Sequence, residues 1–370
     1  MVGEVLCDTE IRDLYYRGFL PGANEELISV SSLDNIICGE VWRLRYNTPL
    51  LNGQSVRNML EATGAHRINT GTELATEPGI VYAIRLATRL DLSKEYYGEG
   101  HNRSRMGRLG LAVNLLSDGT PELNRIPAGY HGDVWALVCS TVFPLIIHPE
   151  KTIIPQIRFH KNGPPNPLKG KRLKKFLEEH PVMYVDGKPK EFGKRELAEI
   201  YRTGRIPFCA GLTGPVSAYI AKGEVDVLDI DKWREASLED YFYPYPANKR
   251  KMFGIPFPGF AIFGTRESFR IPPTHAMAVG QFFPTIDALM QYASLGNAGH
   301  GWGDKTPYGT RIAMEISPFR SPVGLQDGMP CGNVCIYEMS KPPKGNYETV
   351  RTTENGEDLR SLMPLKSREE

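Results

Sequence analysis

The sequence predicts a mainly β protein made of two similar units in tandem, with a few short helices. Three observations carry this. Apolar residues come in short runs bounded by turn residues, as in "VWRLRY", "GIVYAIRLAT", "DVWALVCSTV", "KTIIPQIRF", "GFAIFG", "TRIAMEI" and "NVCIYEM". Proline (29) and glycine (37) recur throughout, and long helical periodicity is scarce. Short β-branched and aromatic runs with frequent turns read as a sandwich or barrel. Third, residues 136–147 ("ALVCSTVFPLII") align without gaps on 314–325 ("MEISPFRSPVGL"), and the same shift brings "YAI" at 82–84 onto "FAI" at 260–262. One shift recurring in two separated places points to an internal duplication.

The elements follow in order. "CDTEIRDLYYRGFL" near the N-terminus reads as an amphipathic helix with Asp8 as N-cap. The β runs of the first unit extend to residue 165. Leu168 to Thr203, with "KGKRLKKFLEEH" and "GKRELAEIYRTG", is strongly charged, follows "NGPPNP" and reads as partly helical. We therefore expect a first β unit over 1–165, a charged connection over 166–203, a second β unit over 204–345 and a tail over 346–370.

Composition bounds the function. A chain of 370 residues with 41% hydrophobic and 24% charged residues can build two packed cores. A net charge of +1 gives no global electrostatic case for nucleic acid or for membrane surfaces. Anion binding has to come from local clusters. The six cysteines are scattered, and "MVGEVLCDTE" is not a secretory signal, so a reducing, cytoplasmic setting without disulfides is expected.

Four stretches are candidates for chemistry. "HNRSRMGRLG" (101–110) packs three arginines around Ser104 and closes on glycine. On a helical turn Ser104 and Arg108 share one face, and arginine forks suit phosphate oxygens. A solvated basic loop accounts for the same residues equally well. No P-loop and no dinucleotide-type glycine pattern occurs. Glu315 sits in "RIAMEISPF", where Ile312, Met314 and Ile316 share one strand face and Arg311, Ala313, Glu315 and Ser317 the other. A carboxyl among apolar neighbours suits general acid–base work. By spacing alone, a solvated sheet face is the better reading. His148-Pro149-Glu150 with Pro330-Cys331 and Cys335 imitates a zinc deaminase signature, but the cysteines are one residue too far apart and the parts fall in different repeats. No zinc is expected. "NAGHGWGDKTPYG" (297–309) reads as a turn-rich loop, either a hairpin connection or a pocket wall. No serine-hydrolase elbow is present.

Several of these segments, in this order, resemble the dCTP deaminase family of the dUTPase-like superfamily, in its long, internally duplicated form. "LCDTEIRDLYYRGFL" resembles the family's opening helix. "SSLDNIICGEVWRLR" resembles its P-x-S-x-D-x-R-L-G strand, with Ser32 and Asp34 in place and the later arginine missing. "NRSRMGRLGLAV" resembles R-S-S-x-x-R-L-G, and "NRIPAGYHGDVWALV" the turn and strand after it. "AYIAKGEVDVLDID" and "NAGHGWGDKTPYGTRIAMEISPF" resemble segments of the second half. The resemblance covers roughly 4–165 and 205–340.

The resemblance implies two distorted β-barrel or jelly-roll units, assembly mainly as trimers with sites between subunits, and zinc-independent conversion of dCTP to dUTP and ammonia. Mg²⁺ comes with the triphosphate, and dCTP, dUTP and dTTP are the ligand class. Carried over by residue, the motif's first arginine is Arg103, its serine Ser104 and its last arginine Arg108, while Arg105 replaces the second serine. The family's glutamate falls on Leu137 in the first half and on Glu315 in the second. The second half lacks the arginine–serine motif. The implied site is therefore composite, with Ser104 and Arg108 from one half and Glu315 from the other. Arg103 and Arg105 are expected toward the triphosphate, and Arg125 and Asn297 toward the sugar. The alternatives are a non-catalytic nucleotide-binding member of the fold and a dUTP pyrophosphatase. The latter lacks its glycine-rich C-terminal clamp here.

Overall fold

The computed structural model describes residues 3–164, 166–280, 288–291, 307–345, 363 and 365. The chain divides into two compact units. One holds residues 1–165 and 224–236, the other 166–223 and 237–370.

In the first unit, β1 (Glu4–Val5) leads into α1 (Asp8–Tyr16). The N-cap is Cys7, one residue before the expected Asp8, whose own N–H is taken by the Val30 carbonyl at 3.0 Å. The Glu10 carboxylate accepts the Cys7 N–H at 3.1 Å. Ile11 and Leu14, one turn apart, are the buried stripe. There follow β2 (Leu33–Arg43), α2 (Val56–Ala62), β3 (His66–Ile68), β4 (Leu74–Thr76), β5 (Val81–Asp91) and β6 (Tyr96–Asn102). After α3 (Ser104–Arg108) come β7 (Leu111–Ser117), β8 (Arg125–Ile126), β9 (His131–Ser140), β10 (Leu145–Ile147) and β11 (Ile153–Lys161).

The main sheet runs β7-β9-β5-β2-β11-β6-β8, with β1 on β11 and β3 on β2. One residue draws its two ends together. Asn124, at φ 63°, donates its N–H to Leu115 of β7 at 2.8 Å, accepts the Leu115 N–H on Oδ1 at 2.7 Å, and accepts the Gly100 N–H of β6 at 2.7 Å. A Cβ at Gly100 would lie 2.6 Å from Leu115 Cδ1, so the close approach of β6 to β7 requires glycine there. The result is a distorted, nearly closed antiparallel barrel. Trp135 and Leu137 of β9 pack with Leu116 and with Val56, Met59 and Leu60 of α2.

The second unit begins with α4 (Gly170–Glu179), β12 (Met183–Val185), β13 (Lys188–Pro189) and α5 (Lys194–Thr203). Residues 166–203, expected as a connection, thus belong to this unit, and Leu173, Phe176, Met183 and Ile200 are part of its core. β14 (Ile206–Gly211) and β15 (Val216–Ala221) follow. The chain then passes through 224–236, which belong to the first unit. There β16 (Leu228–Asp229) pairs parallel to β10, whose other edge pairs antiparallel to β4.

The second unit resumes with α6 (Leu238–Tyr241), β17 (Phe242–Pro246), β18 (Met252–Ile255), β19 (Ala261–Phe269), β20 (His275–Gly280), β21 (Ala288–Gln291), β22 (Thr310–Pro318), β23 (Val323–Gln326) and β24 (Pro330–Glu338). Its main path is β13-β12-β19-β14-β24-β20, with β22 joining β19 to β21 and β15 joining β19 to β17. Ile312, Met314 and Ile316 of β22 face the core with Phe208, Phe263 and Phe269. The alignment that pairs 136–147 with 314–325 lands on β9–β10 and β22–β23, so both units carry the same two strands. Among the described residues, no helix is long and apolar enough to cross a membrane.

Candidate active site

β6 ends at Asn102, and the chain turns directly into α3. Arg103 is extended at φ −75°, ψ 136°, and its carbonyl accepts the Gly107 N–H at 3.2 Å. Met106 and Leu109 are buried and hold the helix down. Gly110 ends it at φ 78°, with its carbonyl accepting from both the N–H (2.7 Å) and the hydroxyl (2.8 Å) of Thr141. A Cβ there would meet Val142 Cγ1 at 2.6 Å, so the position needs glycine for both conformation and space.

On this turn Ser104 and Arg108 come together: Arg108 Nε donates to the Ser104 carbonyl at 3.3 Å. The neighbouring arginines are engaged within the unit. Arg103 pairs with Asp34 of β2 at 3.2 Å and donates to the Ile153 carbonyl at 3.3 Å. Arg105 lays its guanidinium 4.1 Å from the ring centroid of Trp233. Arg125 of β8 pairs with Glu122 at 2.5 Å on the surface. Asn297 lies outside the described residues.

Glu315 stands in the second unit on β22, opposite Ile262 of β19 and Gln291 of β21. It is 2% exposed, so the solvated-face reading of this strand does not hold. Arg311, on the same strand face, donates to the carbonyls of Thr265 (2.5 Å) and Gly211 (2.8 Å). Gly211 and Gly264 leave room for that guanidinium, since a Cβ on either would come within 2.7 Å of it. In the first unit the equivalent of Glu315 is Leu137, which packs in the apolar cluster with Trp135.

Sequence reading did not single out a buried polar row beneath α3. Across β2, β11 and β6, Asp34, Gln156 and His101 are in register, with Arg158 and Glu99 in the next row. Gln156 receives the Ser32 hydroxyl at 3.4 Å and donates to the Asn102 carbonyl at 3.2 Å. Burial pushes the Glu99 carboxyl up, but His101 and His160 outweigh it and hold it well below the usual range. Burial also pushes His160 down. The available signal was the polar alternation of Glu99 with His101 and of Gln156 with Arg158 and His160.

The imitation zinc signature comes apart. Glu150 accepts the Gly39 N–H at 2.8 Å, while Cys331 and Cys335 are buried in β24 of the second unit. His148 instead faces Asp229 at 3.0 Å. With Asp231 these make the one group of three His, Cys, Asp or Glu donors among the described residues within 4.8 Å of one another. Burial pushes Asp229 up, but His148, the Asp231 N–H and Lys232 outweigh it and hold the carboxyl below its usual range.

Comparison with known families bears on this arrangement. Residues 3–163 match the model of the 2'-deoxycytidine 5'-triphosphate deaminase N-terminal domain, and residues 205–360 that of its C-terminal domain. The chain belongs to the dCTP deaminase family. Its fold is similar to the crystal structure of 2'-deoxycytidine 5'-triphosphate deaminase from Agrobacterium tumefaciens. The TM-score is 0.79 and the identity 22%, with 93% of this chain and 100% of that one covered. No curated protein matches. The family's two domain models meet the structure's two units, except that 224–236 fall within the C-terminal match while folding with the first unit.

Proposed function

We propose that this chain hydrolyses dCTP to dUTP and ammonia, with Glu315 as the proton carrier and Ser104 and Arg108 as its partners. The observation that carries the reading is the buried carboxylate of Glu315, at the strand position where the first unit has Leu137. Each unit holds what the other lacks. Glu315 takes a proton from water as the oxygen adds to C4 of the cytosine. It then delivers protons to N3 and to the departing amine, so ammonia leaves and the 4-oxo base remains. Ser104 and nearby backbone groups hold the water, and Arg108 stabilises the charge that develops. General acid–base work of this kind contributes about 10²–10⁴-fold. Zinc takes no part, Mg²⁺ enters as part of the nucleotide substrate, and the assembly is a homotrimer.

The test is ammonia release from dCTP by the wild-type chain and by Glu315→Gln. We expect turnover by the former and its near-complete loss in the latter, with nucleotide-dependent thermal stabilisation kept in both. Stabilisation by dCTP or dTTP without ammonia from the wild type identifies a nucleotide-binding protein instead. Release of pyrophosphate identifies a pyrophosphatase.

A further inference from the structure

We propose that residues 224–236 form a clasp that sets the orientation of α3, and that Trp233 is a positioning residue for Ser104 and Arg108. The activity arm of this inference rests on the function proposed above. The geometry does not.

The clasp is attached at two levels. Its backbone runs parallel to β10, with the Leu228 N–H on the Pro144 carbonyl at 3.0 Å and the Ile230 N–H on the Ile146 carbonyl at 3.1 Å. Leu228 and Ile230 are both buried. Its side chains then fix the turn after β10. Asp229 meets His148 at 3.0 Å, and Asp231 accepts the hydroxyl of fully buried Thr152 at 2.5 Å. The Asp231 N–H returns to Asp229 Oδ1 at 3.0 Å. Two residues later a 3₁₀ turn, Trp233–Glu235, sets the indole against Arg105, with the Arg234 guanidinium 5.1 Å from the same ring.

α3 has five residues, too few to hold a helical turn without outside support. Arg103 and Gly110 fix its two ends. Buried Met106 anchors its middle, and the stack of Arg105, the second residue of the helix, on Trp233 adds a hold on the first turn beside Ser104. Ser104 is the adjacent residue and Arg108 lies three residues on. This answers what Arg105 does where the resemblance has a serine: the arginine is one half of a pair whose other half is carried by the clasp. That clasp lies in the stretch matched by the C-terminal domain model, so the second half of the sequence supports the serine–arginine turn of the first.

The experiment compares full-length wild type, Trp233→Ala, Trp233→Phe and Arg105→Ser by amide hydrogen exchange and by steady-state kinetics. Faster exchange at Gly107, Leu109 and Gly110 is expected in Trp233→Ala and Arg105→Ser, by about tenfold, with Trp233→Phe close to wild type. With dCTP, kcat falls in Trp233→Ala while KM stays within about threefold, because the displaced groups act on the transition state, and phenylalanine restores most of the loss. Unchanged exchange at α3 in both Trp233→Ala and Arg105→Ser overturns the clasp. So does an exchange increase spread evenly over the first unit. If Trp233→Ala does not fold, Arg105→Ser decides, since it removes the same stack from the surface of α3. A wild type that releases no ammonia counts against the proposed function alone, because the exchange arm still decides the clasp.

Discussion

The strands β9 and β22 occupy the same place in their units, and they differ at one residue that matters. Leu137 on β9 completes an apolar cluster with Trp135, Leu116 and α2. Glu315 on β22 is as deeply buried, yet it is a carboxylate. A leucine there stabilises its unit through burial, whereas a buried carboxyl costs stability unless hydrogen bonds and charge offset it. The sequences diverge in the opposite direction at the turn, since the arginine–serine motif that forms α3 in the first half has no counterpart in the residues of the second. One half of the sequence carries the arginine–serine turn and the other the strand carboxyl.

The largest expected effects break this division directly. Glu315→Gln lowers kcat for ammonia release by about 10²–10⁴-fold, measured with saturating dCTP. Ser104→Ala lowers it by about 10²–10³-fold, as for loss of one preorganised donor, with little change in stability. The converse substitution tests the first unit. Leu137→Glu places a carboxyl in an apolar cluster that has no use for it. We expect about 3–5 kcal/mol of destabilisation and no second active site, read from denaturant unfolding and from unchanged turnover per folded chain. A Leu137→Glu protein that gains activity would show that both units retain a latent site.

Smaller effects sharpen the comparison. Gly110→Ala forces a left-handed conformation and a clash with Val142, and costs about 2 kcal/mol together with part of the activity. In the second unit, burial pushes His275 down to about 4, helped by His180 and Arg172 and opposed by Glu338 and Glu179. Its folded value lies below the unfolded one, so the unfolded chain binds the extra proton first. The stability it contributes is complete above about pH 6.5 and is lost as pH falls toward 4. Replacing His275 with glutamine flattens the thermal midpoint across that window, and an unaltered slope rules this assignment out.

Much of this was legible in the sequence where the signal is local. Short β-branched runs between turn residues mark strands, and one shift joining 136–147 to 314–325 marks the duplication. The i, i+4 spacing of Ser104 and Arg108 joins them whenever the turn is helical. Burial of Glu315 was not legible. Alternation assigns a residue to a sheet face, but only the packing of other elements decides whether that face is dry. The row of Asp34, Gln156 and His101 depends on β11 lying between β2 and β6, a strand order set by long-range pairing. The clasp escaped for a related reason. "EVDVLDIDKWREA" is polar and short, and nothing within it says that it will pair with β10.

The clasp also bears on synthesis. The N-terminal part of the first unit leaves the ribosome first, yet one edge of β10 receives its partner only when β16 has been made, after α4, α5 and the four strands β12 to β15. At about 5–20 residues per second this leaves the small β16-β10-β4 sheet of the first unit unfinished for several seconds. During that interval β10 exposes a bare edge, the kind of surface on which neighbouring nascent chains mispair. The two halves are therefore joined in time as well as in sequence, since the earlier one is completed by the later.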